Sequence, residues 1–356
     1  MKTRIFLGMG LLVTAVGFGQ TTYSEPNAIT NNPSGTGGSN NLHLGVGAAN
    51  LSTTSYNVYL GFETAKNKND GEYNTFIGYR AGFRNIGSTN CFVGAEAGAD
   101  SNGERNTYVG RNSGYRNIGV ENVIIGWGTG DGNKDTNTNA YLTKSVVVGR
   151  GSASGSSGTQ NIILGHLSGT FINGNGNIII GNGIFQASQN QGSTQITNVS
   201  KKLYIDESSK DNPLIYGDFT NNSEQLKFNA YKVGIGPEFG DFPALTGLTN
   251  ADKYRLFVRG GILAEEVRIR LQNNWPDYVF AKDYKLLSLK DTEKYIAENG
   301  HLPNMPSAEK VKAEGVELGN IVTLQQEKIE ELTLHLIEQQ KQIEELQKQV
   351  QLLLNK

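Results

Sequence analysis

Histidine and cysteine are few in this 356-residue chain, four and one, and the sequence spacing of its candidate metal ligands and nucleophiles forms no recognised site. The stretch DGNKDTNTN (131–139) sets Asp131, Asn133, Asp135, Asn137 and Asn139 on alternate residues, as a calcium loop does. Its sixth position is Thr136, where such a loop needs glycine, and its twelfth is Leu142, where it needs a bidentate glutamate. A solvated loop is therefore expected over 131–144. The four histidines, His43, His166, His301 and His335, lack the spacing of metal ligands. Cys91 is the only cysteine, so it closes no internal disulfide, and with no histidine near it in sequence it reads as a small packed residue. The Gly-x-Gly strings lack the strand-then-helix setting of a phosphate loop. No catalytic residue, metal or cofactor is assigned. A formal net charge of −2 argues against a nucleic-acid binder and provides no field for steering a charged substrate.

What the sequence specifies strongly is a scaffold. Of the 45 glycines, 42 precede Ile262, and nine of these close one repeating pentad, Asn-x-x-aliphatic-Gly. It runs NLHLG (41–45), NVYLG (57–61), NTFIG (74–78), NCFVG (90–94), NTYVG (106–110) and NVIIG (122–126), then SVVVG (145–149), NIILG (161–165) and NIIIG (177–181). The lead positions step by 16, 17, 16, 16, 16, 23, 16 and 16 residues. A coil of about 16 residues accommodates two short strands and two turns, which predicts a parallel β-roll over 41–185. Its nine rungs, spaced about 4.8 Å apart, make a shaft on the order of 45 Å. The aliphatic fourth position (Leu44, Leu60, Ile77, Val93, Val109, Ile125, Val148, Leu164 and Ile180) is expected to stack as the inner core. Tyr59, Phe76, Phe92 and Tyr108, at the third position, are then expected to point outward, either covering a monomeric roll or packing against sister chains. The leading Asn suits a turn in which its side chain bonds local backbone and stacks with the Asn of the next coil.

The pentad, followed by x-x-Ala/Ser-Gly as in GYRAG (78–82) and GRNSG (110–114), resembles the head repeats of trimeric autotransporter adhesins. That resemblance implies a left-handed parallel β-roll with three chains side by side. The chain departs from that family in having no membrane β-barrel anchor after the repeats.

Outside the repeats the composition changes. Lys2, Arg4 and the apolar run IFLGMGLLVTAVGF (5–18) predict an export signal over 1–20, followed by a flexible segment over 21–40. Mature protein is expected to have no membrane span and to be secreted or held at a Gram-negative cell surface. A β-rich neck is expected over 186–263, from KLYID (202–206), PLIYGDF (213–219), QLKFNAYKVGIG (225–236) and YRLFVRGGI (254–262). Over 264–320 a small α adaptor is expected, with Ser288 and Ser307 capping helices that stop at Gly300 and Gly315. Its boxes WPDY (275–278) and HLPNMPS (301–307) resemble the C-terminal end of tail-fibre-like secreted proteins of gliding and other Bacteroidetes. More distantly, the segment resembles the intramolecular chaperone domain of phage tail fibres and endosialidases. That family can cut itself off with a Ser beside an Asp. The stretch AEEVRIRLQ (264–272) has no Ser, so the chain is expected to stay whole.

From Ile321 to Lys356 a heptad is plain, with Val322, Ile329, Leu336, Ile343 and Val350 at a and Gln325, Leu332, Gln339, Leu346 and Leu353 at d. Glutamine at two d positions suits a three-fold axis, on which three amides can bond one another; a two-stranded coil is the competing reading. Together these features predict a non-enzymatic homotrimer, structural or adhesive, working in a surface adhesion apparatus, gliding-related or otherwise, beside a larger envelope or secreted protein or a glycan. A Lys-rich sorting domain of the type IX secretion kind is not recognised at the end, so export is expected to depend on a partner. The competing readings are a polysaccharide-acting β-helix enzyme and a tail-fibre component of an injection particle. Both the clustered carboxylates of the first and a cytoplasmic start for the second are missing from the sequence.

Overall fold

The computed structural model describes residues 29–30, 40–49, 54–67, 71–132, 139–185, 197–207, 211–236, 253–270 and 275–355. The export signal, most of the 21–40 segment and the centre of the 131–144 insert lie outside the described residues. The chain divides into two compact units, 1–231 and 232–356.

The first unit is a parallel roll in which each pentad supplies one three- or four-residue strand. A short β1 (Ile29–Thr30) lies antiparallel to β2 (Leu42–Leu44). Then come β3 (Val58–Leu60), β4 (Thr75–Ile77), β5 (Cys91–Val93), β6 (Thr107–Val109) and β7 (Val123–Ile125), each parallel to the one before. The insert ends in β8 (Tyr141–Thr143), which is followed by β9 (Val146–Val148). Four further strands follow: β10 (Ser157–Thr159), β11 (Ile162–Leu164), β12 (Ile172–Asn173) and β13 (Ile178–Gly181). After these come β14 (Thr197–Asn198), β15 (Lys202–Asp206), β16 (Ile215–Asp218) and β17 (Gln225–Phe228). The main sheet has 13 strands and stays parallel from β2 to β15, after which β16 and β17 turn back antiparallel. Strands β8, β10, β12 and β14 form a second, four-stranded parallel wall.

The pairing is in register, pentad on pentad: Phe76 opposes Phe92 and Phe92 opposes Tyr108. This alignment corrects one expectation. The fourth pentad position does not line the interior. Leu44, Ile77 and Ile125 are exposed, and Leu60, Val93, Val109, Val148, Leu164 and Ile180 are half-buried on the outer face. The interior belongs to the third position, where His43, Tyr59, Phe76, Phe92, Tyr108, Ile124, Val147, Ile163 and Ile179 are all buried. The physical reason is the period of two along a strand. The leading Asn points inward, so the third residue must as well, which leaves the second and fourth outside. Rings of successive rungs stack face to face, Phe76 on Phe92 at 4.6 Å and Phe92 on Tyr108 at 4.7 Å.

A buried asparagine ladder threads these rungs. The Asn90 Oδ1 accepts the backbone N–H of Asn106 at 2.9 Å, and the Asn106 Oδ1 accepts that of Asn122 at 2.9 Å. Each Nδ2 donates to a corner carbonyl, Asn106 to Gly119 at 3.0 Å and Asn161 to Gly174 at 2.9 Å. Where the pentad begins with Ser145, its hydroxyl takes over the acceptor role for the Asn161 N–H at 3.2 Å. Glycine closes the pentad because rungs approach each other there. Gly94 has φ +136°, and a Cβ on it would lie 2.6 Å from the Gly110 carbonyl. Four residues on, a Cβ at Gly98 would strike the Phe92 ring at 2.3 Å, so this glycine makes room for the core aromatic.

In the second unit, β18 (Val233–Ile235) pairs in parallel with β19 (Leu256–Val258). A 3-10 turn spans Pro276–Phe280, followed by α1 (Leu289–Asn299), α2 (Ala308–Glu314) and α3 (Leu318–Leu354). Ser288 and Ser307 accept the backbone N–H of Asp291 and Lys310, and α1 and α2 end at Gly300 and Gly315. At 37 residues, α3 is about 55 Å long.

Replacing Asn106 with alanine leaves the Asn122 N–H and the Gly119 carbonyl buried without partners. We expect Asn106→Ala to destabilise the roll by about 2–4 kcal/mol. Asn106→Ser, which copies the natural Ser145 rung, should cost clearly less. Urea unfolding of both variants measures this, and equal losses would mean that the ladder's acceptor role does not matter.

Candidate interaction surfaces

The outer face of the main sheet is a continuous apolar stripe. Across nine rungs the second and fourth pentad positions carry Leu, Val, Ile, Thr and Cys, and none carries a charge. Leu42, Leu44, Val123, Ile125, Val146 and Ile162 are between 38% and 41% exposed, far more than a β-sheet core residue tolerates. No described element covers this face. Cys91 sits in it, half-buried, between its register partners Thr75 and Thr107. The other walls are polar and tied rung to rung by ion pairs, Glu63 to Arg80 at 2.9 Å, Arg84 to Asp100 at 2.6 Å and Arg105 to Glu121 at 2.9 Å. Near the C-terminal rungs, Arg150 lies over the Trp127 ring at 4.5 Å and reaches His166 at 3.0 Å, which in turn meets Asn182 at 3.1 Å. These exposed pairs hold side-chain positions more than they stabilise the fold.

The second uncovered stripe lies on α3. Ile329, Leu332, Leu336, Ile343, Leu346, Val350 and Leu353 are 48% to 71% exposed, and Gln339 is exposed among them. The adaptor packs on the other side of the helix. Pro276 and Val279 of the WPDYVF turn are buried, as are Glu327 and Glu330 on the helix. Tyr278 donates to the Glu327 Oε2 at 2.5 Å, Asn304 to its Oε1 at 3.3 Å, and Lys328 bridges Glu327 at 3.0 Å and Glu331 at 2.7 Å. Tyr284 bonds Glu331. Burial pushes the Glu327 carboxyl up, but the bonds from Tyr278, Lys328 and Asn304 outweigh it and hold the group below its ordinary range. The hydrogen bond to Glu327 and then burial push the Tyr278 phenol up to about 12. In heptad terms Glu327, Glu330 and Glu331 occupy f, b and c. The clasp therefore grips the back of the helix and leaves the a/d seam bare.

Residues weighed for chemistry stay apart. His43 is buried against Tyr59, where burial lowers its pKa to about 4, while His166, His301 and His335 lie at separate places in the chain. The Ser288 hydroxyl is taken up by the α1 cap and by Asp291 at 2.6 Å. Among the described residues no group of three or more His, Cys, Asp or Glu side chains could hold a metal, and no helix is long and apolar enough to cross a membrane. The tyrosine–glutamate clasp went unforeseen in the sequence; the only signal was a pair of tyrosines flanking proline-marked turns ahead of the heptads. No family model, curated protein or solved structure matches the chain.

Tyr278→Phe should weaken the second unit by about 1.5–3 kcal/mol at neutral pH, the usual worth of a hydrogen bond to a charged group. The Glu327 pKa is depressed by folding, so its contribution exists above the ordinary carboxylate pKa and fades as pH falls through the folded value. Thermal melts followed by circular dichroism should therefore show wild type and variant converging below a pH of about 4. A gap that persisted in acid would mean that the hydroxyl's contribution does not depend on the charge of Glu327.

Proposed function

We propose that the protein is a non-enzymatic homotrimer working outside the cell or at its surface, structural or adhesive, in contact with another envelope protein or a glycan. The observation that carries this reading is the pair of uncovered apolar stripes, one on each compact unit, both uncharged at their centres and both periodic. An uncharged sheet face packs against copies of itself without repulsion, and a bare a/d seam ends in its own partner helices. The two d-position glutamines, Gln325 and Gln339, favour three strands over two, since three amides around an axis satisfy one another. A trimer places three identical polar walls outward, so weak contacts with a repetitive surface add by avidity. The resemblance of the pentads to adhesin heads and of the C-terminal boxes to secreted tail-fibre-like proteins supports the same reading, as does the export signal expected over 1–20.

Light scattering on chain beginning near Thr21 should give three times the monomer mass, and a monodisperse monomer would sink the proposal. Removing 321–356 should disperse the oligomer and weaken attachment to isolated envelopes by about 100-fold or more, the size expected when avidity is lost. Release of sugar from a polysaccharide by the intact protein would favour the enzyme reading instead.

A further inference from the structure

The outer sheet face is bounded on both sides by columns whose chemistry matches in the second to fourth rungs. The residue before each pentad forms one flank and the residue after it the other. In the second and third rungs these are Tyr56 with Phe62 and Tyr73 with Tyr79. All four rings are 47% to 58% exposed, and they are stacked along the shaft within their own columns, Tyr56 on Tyr73 at 4.9 Å and Phe62 on Tyr79 at 5.8 Å. In the fourth rung both flanks turn small, Thr89 and Ala95, and from the fifth rung on they are mostly polar. So the second and third rungs are the two that carry an aromatic side chain on both edges of the apolar stripe, Trp127 at the sixth rung facing Glu121 across it.

Resting on the trimer reading above, we infer that neighbouring chains lock together through an aromatic clasp, with Tyr56 and Tyr73 of one copy against Phe62 and Tyr79 of the next. In any parallel, in-register ring of copies the leading flank of one face meets the trailing flank of its neighbour. Aromatic rungs then meet aromatic rungs and small meets small. An antiparallel pairing would set these rings against Lys144, Arg150, Gln160 and His166 instead. Size argues the same way. Three-residue strands over nine rungs present roughly 400 Å² of flat face, and including the flanks brings this to roughly 800 Å², the area a stable interface buries per partner. The flanks are therefore needed, and only in the N-terminal rungs are both of them apolar. Two rungs have basic flanks on both sides, Arg105 with Arg111 and Lys144 with Arg150; Arg105 and Lys144 are paired with Glu121 of their own chain at 2.9 Å and 3.8 Å, and Arg150 lies over Trp127 at 4.5 Å.

The test uses full-length protein with Cys91→Ser, carrying Tyr73→Cys and Tyr79→Cys together, treated with a short bismaleimide and run on a denaturing gel. Covalent dimers and trimers are expected from the pair. Tyr73→Cys alone, and Tyr73→Cys combined with Asn182→Cys, should remain monomers on the gel, the latter because its two sites sit six rungs apart. If light scattering shows a trimer but the 73/79 pair does not cross-link, the clasp is wrong and the trimer stands. If the 73/182 pair links instead, the in-register arrangement is wrong. If the full chain is a monomer, both readings fall.

Discussion

Everything in the roll follows from one constraint, the close and equal spacing of successive rungs along the main sheet. Parallel strands in residue-to-residue register bring each residue onto the same residue of the next coil, so any side chain tolerated once must be tolerated nine times. Buried polar groups at that spacing survive only if they satisfy each other, and asparagine does so because its amide accepts from the next rung's N–H while donating to a corner carbonyl. Glycine at the pentad end follows from the same spacing, since any Cβ there would meet the next rung's carbonyl. Phe76, Phe92 and Tyr108 stack in the interior with interplanar angles of 3° to 4° because the backbone already sets them one above another.

Such a coil is thin. Its interior is a single column of rings and aliphatic side chains, joined by small residues such as Ala65, Ala81, Ala97 and Ala153. A core of that width buries little per residue, and the outer face of the same sheet is as apolar as the inner one. The roll thus has two hydrophobic faces and only one layer of its own to cover them with. The helix repeats the situation on a smaller scale, because the adaptor grips its glutamate-bearing back and leaves the seam bare. In both units the chain covers one apolar side with its own residues and leaves the other side uncovered among the described residues.

The register, strand positions, helix caps and heptad were legible in the sequence because each depends on short-range chemistry: Asn and Gly at fixed steps, Ser before a helix, apolar residues at 3.5-residue spacing. The inside–outside assignment of the pentad was read the wrong way round. Alternation fixes that the second and fourth positions share a face, but not which face that is. A signal was present: Thr75 and Thr107 at the second position mark the face that water can reach, and Gly82, Gly98 and Gly114 accompany the rungs whose third residue is a ring. The tyrosine–glutamate clasp was illegible because Tyr278 and Glu327 are 49 residues apart, and no local pattern links them.

The insert after Gly126 shows how tightly the rung constraint holds. The step there is 23 residues instead of 16, yet Ile125 still pairs with Val148 and Ile124 with Val147. The surplus falls in the sequence between Gly132 and Asn139, ahead of β8. Before it, the opposite wall is a stack of close-approach glycines such as Gly87 and Gly103, and after it Tyr141–Thr143 begins a second parallel sheet. Closing a loop a few residues longer costs only tenths of a kcal/mol, whereas slipping one rung of the main sheet would turn every buried side chain of that rung outward. Variation is therefore channelled to the walls, while the ladder and the apolar face continue unchanged through Ser145 to Asn177. A surface kept constant along one side and free to vary on the others is what a shaft needs if its constant side faces its own copies and its variable sides face everything else.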